Sequence, residues 1–140
     1  IIADPALKAR FAAKIMALGI SGNSFGMRMT PAAYSPEGAA WVDGLMAYLD
    51  GNRQVFDAGM AAIPGLRSMR LEATYLAWID ASGIARPSGL TAAAFFEQAG
   101  LGLSAGQDFL PGGTDYVRLN FACTRKTLDL AISRLKAGCQ

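Results

Sequence analysis

Apolar residues recur every three or four positions through Leu7, Phe11, Ile15 and Leu18, the spacing of one helical face. Asp4-Pro5 precedes the run, a side-chain cap followed by a residue whose fixed φ suits a first turn, and Gly19 can stop the helix in the left-handed region. The pattern predicts a helix over about residues 5–18. It then breaks in GISGNSFGMRMTPAAY (19–34), where three glycines and a proline predict an irregular connection. Ser35-Pro36 repeats the cap-and-proline start, and Val42, Leu45, Leu49, Phe56, Met60 and Ile63 trace a stripe with Trp41, Tyr48 and Val55 beside it. That spacing predicts a long helix of about seven turns, which Gly51 weakens by up to about 1 kcal/mol relative to alanine.

After the turn signal Pro64-Gly65 the period changes. Residues 66–71 and 74–79 are β-rich and predict two short strands, followed by a loop at Asp80-Ala-Ser-Gly. Thr91 caps a short helix, AAAFFEQA, closed by Gly100; Leu101–Leu103 is a candidate short strand, and SAGQDFLPGGTD is a glycine-rich loop. In DYVRLNFA, Val117, Leu119 and Phe121 alternate with Tyr116, Arg118, Asn120 and Ala122, the period of two of a strand with one core face. Thr124 then caps a last helix carrying Leu128, Ile132 and Leu135 on one side. Strands grouped with helices on one face make an α+β fold, a small αβ sandwich preceded by a helix and a long connecting helix.

Composition sharpens this picture. Over 140 residues, 52% are hydrophobic and only 17% charged, which excludes disorder and predicts either extensive burial or apolar surface meant for a partner. No apolar run approaches the roughly 18 residues of a membrane span, and no leader pattern is visible, so the expectation is a soluble, cytoplasmic protein. Thirteen basic and 11 acidic residues are scattered to a net +2, which predicts no nucleic-acid binding. Cys123 and Cys139 lack metal-ligand spacing, and with no histidine the usual zinc sets and every Ser-His or Cys-His nucleophile are excluded. The chain opens Ile1-Ile2 without methionine, which suggests a piece of something longer.

Little else carries chemistry. The glycine-rich loop runs between strands and lacks a lysine and a following helix, so it is a poor phosphate cradle. Lys8, Lys14, Lys126 and Lys136 read as helix-surface residues and not as a desolvated Schiff-base lysine. Glu72, Asp108 and Asp115 could supply a carboxylate pair, but nothing fixes their separation and the solvated reading is the simpler one. Met27, Met29, Met46 and Met60 read as core or interface filling. Arg118 stands apart: a permanently charged, planar fork of donors in mid-strand is either a salt-bridged structural arginine or a receptor for an anion.

Taken together, YLDGNR (48–53), EATYLAWID (72–80) and QDFLPGGTDYVRLNFA (107–122) resemble, in order, the C-terminal part of class I/II pyridoxal-phosphate aminotransferase-fold enzymes, nearest the cystathionine β-lyase or carbon–sulfur lyase branch. The resemblance covers nearly the whole chain. It implies that Arg118, in YVRLNFA, is the substrate-binding residue that grips the α-carboxylate of an amino acid. It also implies pyridoxal 5′-phosphate as cofactor, anchored by a lysine upstream of this chain in a large N-terminal domain, with the active site formed in a homodimer. Residues 1–34 would then be a helix and glycine-rich connection from that large domain, and residues 35–140 the small domain with its long connecting helix. This chain by itself would be inactive and holds no catalytic residue and no metal site. Two departures are visible: Leu110 follows Phe109 where many relatives have glycine, and Ser21–Thr30 is rich in glycine where relatives look helical.

A rival reading is a noncatalytic α+β module that binds an amino acid or small anion as a regulator, using Arg118 in the same way. A third, drawn from the apolar composition, is a pure interaction domain.

Overall fold

The structure, a computed structural model, describes residues 1–139. The described chain divides into two compact units, Ile1–Gly44 and Leu45–Gln140.

The first unit is helical. Helix α1 spans Pro5–Ala17, with the Asp4 carboxylate accepting from the Leu7 N–H at 2.9 Å. Its predicted stripe is real in spacing but not buried: α1 has no buried residue, and Phe11 is 55% exposed. The expected irregular connection over 19–34 is corrected, because Ser24–Ala33 forms a second helix, α2. The Asn23 side chain caps it through the Gly26 N–H at 2.6 Å, and the Thr30 hydroxyl bonds back to the Gly26 carbonyl at 2.8 Å. A polar cap outweighed one glycine and one proline. The long helix α3 begins here, at Pro36, and runs to Ala61, with the Ser35 hydroxyl accepting from the Gly38 N–H at 3.1 Å. Its 26 residues give about seven turns, as the spacing predicts.

The second unit is the α+β part. Four strands, β1 (Arg67–Ser68), β2 (Leu76–Asp80), β3 (Ser104–Ala105) and β4 (Tyr116–Asn120), form one antiparallel sheet in the order β1-β2-β4-β3. The edge strands are shorter than the sequence suggests, and the one expected at 101–103 forms at 104–105 instead. There Ser104 and Ala105 lie opposite Arg118 and Val117. Helix α4 (Ala92–Gln98) starts at the predicted Thr91 cap, and helix α5 (Arg125–Gly138) at the Thr124 cap.

Period two on the strands and the helical stripe meet in a single core. Ala77, Ile79, Val117, Leu119 and Phe121 pack with Phe56, Met60 and Ile63 from α3 and its end, Phe96 of α4, and Leu128 and Leu135 of α5. Burial of such side chains contributes about 1.5–3 kcal/mol each for the larger aliphatics and aromatics, the dominant favourable term. The long stripe is therefore used unevenly: it is buried from Leu49 onward, whereas Trp41 and Val42 are exposed. Helix α3 is pinned to the N-terminal turn and the body of α5. Tyr48 accepts from the Arg125 N–H at 2.9 Å, the Arg125 guanidinium donates to the Gly51 carbonyl at 2.8 Å, and Gly59 lies against Ile132.

Candidate functional site

The alternation that buries Val117 and Leu119 necessarily turns Tyr116 and Arg118 to the other face of the sheet. Register then sets their company. Arg118 is directly opposite Trp78 on β2 and Ser104 on β3, so the three share one face across three strands.

Arg118 is half-buried, and its Nη2 donates to the Ser104 hydroxyl at 3.2 Å. Among the described residues no carboxylate lies within salt-bridge distance of it. Of the two readings open to this arginine, the intramolecular salt bridge is thus not made by any described residue. Nitrogen donors in the plane of the fork remain free of charged partners, and a group of this kind favours a carboxylate or phosphate.

One face of the guanidinium is covered instead. The Phe109 ring lies over it, with Cζ 4.3 Å from the ring centroid. Phe109 in turn meets Trp78 edge-on at 5.8 Å, and Trp78 stacks on Tyr116 at 5.8 Å with the rings 13° apart. The aromatic row continues into a recess of about 410 Å³ lined by Met69, Trp78, Asp80, Leu110 and Tyr116.

The loop that carries Phe109 is built from short 3-10 turns, Gly106–Asp108 and Gly113–Asp115, packed on one another. A Cβ on Gly106 would collide with the Gly113 carbonyl and lie 2.5 Å from the Tyr116 carbonyl, so only glycine lets the two ends of the loop close. The far end is tied by Arg86, which is largely buried, pairs with Asp115 and donates to the Ala81 carbonyl at 2.6 Å. Asp115 is thereby taken out of the candidate carboxylate pair. Glu72 lies exposed, 3.9 Å from Arg70, and Asp108 is exposed as well.

All four lysines are exposed, on α1 and α5. Met60 is buried while Met27, Met29 and Met46 are exposed. No group of three or more metal-ligating side chains forms among the described residues. No helix is long and apolar enough to cross a membrane among them. Burial pushes the Cys123 and Cys139 thiols up from their ordinary value, which makes them poor nucleophiles. Sequence reasoning found Arg118 but gave no role to Ser104, Trp78 or Arg86. Trp78 could have been found from the β2–β4 register alone; Arg86 comes from a loop, where periodicity carries no information.

No family profile matches the chain. It is 31% identical over 140 residues to the cystathionine β-lyase PatB of Bacillus subtilis, an alignment that takes in 99% of this chain and 36% of PatB. Among solved structures it superposes on OvoB with a TM-score of 0.89 at 35% identity, over 100% of this chain and 35% of OvoB. On the pyridoxal-phosphate-bound carbon–sulfur lyase of Staphylococcus hominis the TM-score is 0.84 at 25% identity, over 99% of this chain and 36% of that one. The chain thus spans about a third of the length of the relatives it matches. In sequence and in fold it is homologous to the C-terminal part of the pyridoxal-phosphate-dependent aminotransferase-fold enzymes, on their cystathionine β-lyase and carbon–sulfur lyase branch.

Proposed function

We propose that the whole protein is a pyridoxal-phosphate-dependent carbon–sulfur β-lyase or aminotransferase acting on an amino acid, and that this chain contributes the receptor for the substrate's α-carboxylate, Arg118. The observation that carries the reading is a half-buried guanidinium with no carboxylate partner among the described residues, in a chain whose relatives are such lyases.

The residues of this chain fit the substrate better than the cofactor. Every lysine is exposed on α1 or α5, and an exposed lysine is not the desolvated amine that anchors an aldehyde. The cofactor's own contacts belong to a large domain, with residues 1–34 as the connection and residues 35–140 as the small domain, in a homodimer in the cytoplasm. Pyridoxal phosphate, when bound, supplies the electron sink. The part played here is orientation: a carboxylate held at two points by a planar fork fixes the amino acid's Cα relative to the protein.

The test is Arg118→Ala in the whole protein, supplied with pyridoxal phosphate and assayed on L-cystathionine and on amino-donor pairs. A charged hydrogen-bonded contact contributes about 1.5–3 kcal/mol, so kcat/KM is expected to fall by about one to two decades. An unchanged kcat/KM refutes the assignment, and saturable amino-acid binding with no turnover favours a regulatory module.

A further inference from the structure

We infer that Phe109 is a positioning residue for Arg118, setting the plane in which the guanidinium meets an anion; this rests on the carboxylate-receptor reading above.

The five N–H donors of a guanidinium all lie in its plane, and its faces make no hydrogen bonds. A carboxylate gripped at two points must therefore approach edge-on, and the direction of approach follows the orientation of the plane. A long arginine side chain has about 2 kcal/mol of rotamer entropy and does not hold one plane unaided. Here three contacts restrain it. The Ser104 hydroxyl takes one Nη2 hydrogen at 3.2 Å, β-ladder register fixes where the side chain leaves the backbone, and the guanidinium Cζ sits over the Phe109 ring, 4.3 Å from its centroid. Only the last of these acts on the tilt of the plane while leaving the in-plane donors free.

Phe109 can do this because it is itself held. Trp78 meets it edge-on and Tyr116 stacks on Trp78, both from the sheet that bears Arg118. At its two ends the loop is closed by the mutual approach of Gly106 and Gly113 and by the Arg86–Asp115 pair. The ring itself remains 49% exposed, so no core packing explains its placement.

The experiment compares Phe109→Leu, Phe109→Tyr and Arg118→Lys in the pyridoxal-phosphate-loaded whole protein, using L-cystathionine as substrate and L-alanine as a competing carboxylate. Leucine keeps apolar bulk but has no π face, whereas tyrosine keeps the face. The expected result is that Phe109→Leu raises KM and the L-alanine inhibition constant together by about three- to tenfold, with a smaller effect on kcat, and that Phe109→Tyr restores both. The inference is overturned if Arg118→Lys weakens both constants but Phe109→Leu leaves them within about twofold of wild type, or if tyrosine fares no better than leucine. If Arg118→Lys itself changes neither constant, the carboxylate-receptor reading fails, and the positioning role fails with it.

Discussion

The Asn52 carboxamide on α3 donates both its hydrogens to carbonyls at the end of β4, those of Phe121 at 2.8 Å and Cys123 at 2.9 Å. The side chain is fully buried, and its oxygen has no partner among the described residues. The orientation of the amide follows from this environment, because the opposite flip would set an oxygen against two carbonyl oxygens. One polar side chain thus fastens the long helix to the strand that carries Arg118.

Replacing Asn52 should be costly for that reason. Asn52→Leu strands two carbonyls whose partners are lost, and a destabilisation of about 2–4 kcal/mol is expected in urea unfolding. Asn52→Asp should be worse at neutral pH, since it adds a buried charge that faces acceptors only. A loss below about 0.5 kcal/mol in both variants would mean that water replaces the amide.

At Gly59, α3 lies against Ile132 of α5. A Cβ placed there lies 2.7 Å from Ile132 Cγ2 and 3.0 Å from its Cδ1. Gly59→Ala gains up to about 1 kcal/mol of helix propensity but overpacks the interface by about 1–3 kcal/mol, so a small net destabilisation is expected. Trimming the obstacle should relieve it. In a double-mutant cycle Gly59→Ala with Ile132→Ala, which removes Cγ2 as well as Cδ1, is expected to cost less than the sum of the single changes, and strict additivity would show that the helices move apart freely.

The glycine pair in the Phe109 loop has no flexible neighbour to yield. Gly106→Ala presses on the Gly113 and Tyr116 carbonyls, both backbone, and should displace the loop. In the whole protein we expect a loss in kcat/KM of about tenfold with a stability change of about 1–2 kcal/mol. Activity equal to wild type would show that the loop's closure does not matter to the site.

Asp80 links acid stability to the outer sheet face. Hydrogen bonding from the Ser82 hydroxyl lowers its carboxyl from the ordinary value most, burial opposes this, and the Ser82 N–H and Arg67 guanidinium lower it further. A carboxyl depressed in the folded state contributes stability that is fully present above the unfolded pKa, about 3.9, and is lost as pH falls through the lower folded value. Asp80→Asn should therefore lower stability at pH 7 and flatten its acid dependence below about pH 4. Urea midpoints of both proteins between pH 7 and pH 3 would decide; parallel curves would remove Asp80 from the acid transition.

The sequence by itself determined the elements whose signals are local. Asp4, Ser35, Thr91 and Thr124 announce helices because a cap bonds within three residues, and Val117, Leu119 and Phe121 announce a core face because the strand period is two. Arg118 was legible for the same reason, as a charge on the strand's second face. Where local signals compete, the reading failed: the glycines of residues 19–34 obscured the helix that Asn23 caps. Tertiary structure alone decided what surrounds Arg118. Trp78, 40 residues away along the chain, and Ser104 reach it through strand register, and Phe109 through a loop closed by two glycines and tied by the Arg86–Asp115 pair. Those contacts depend on how distant segments meet in space, which no short-range periodicity encodes.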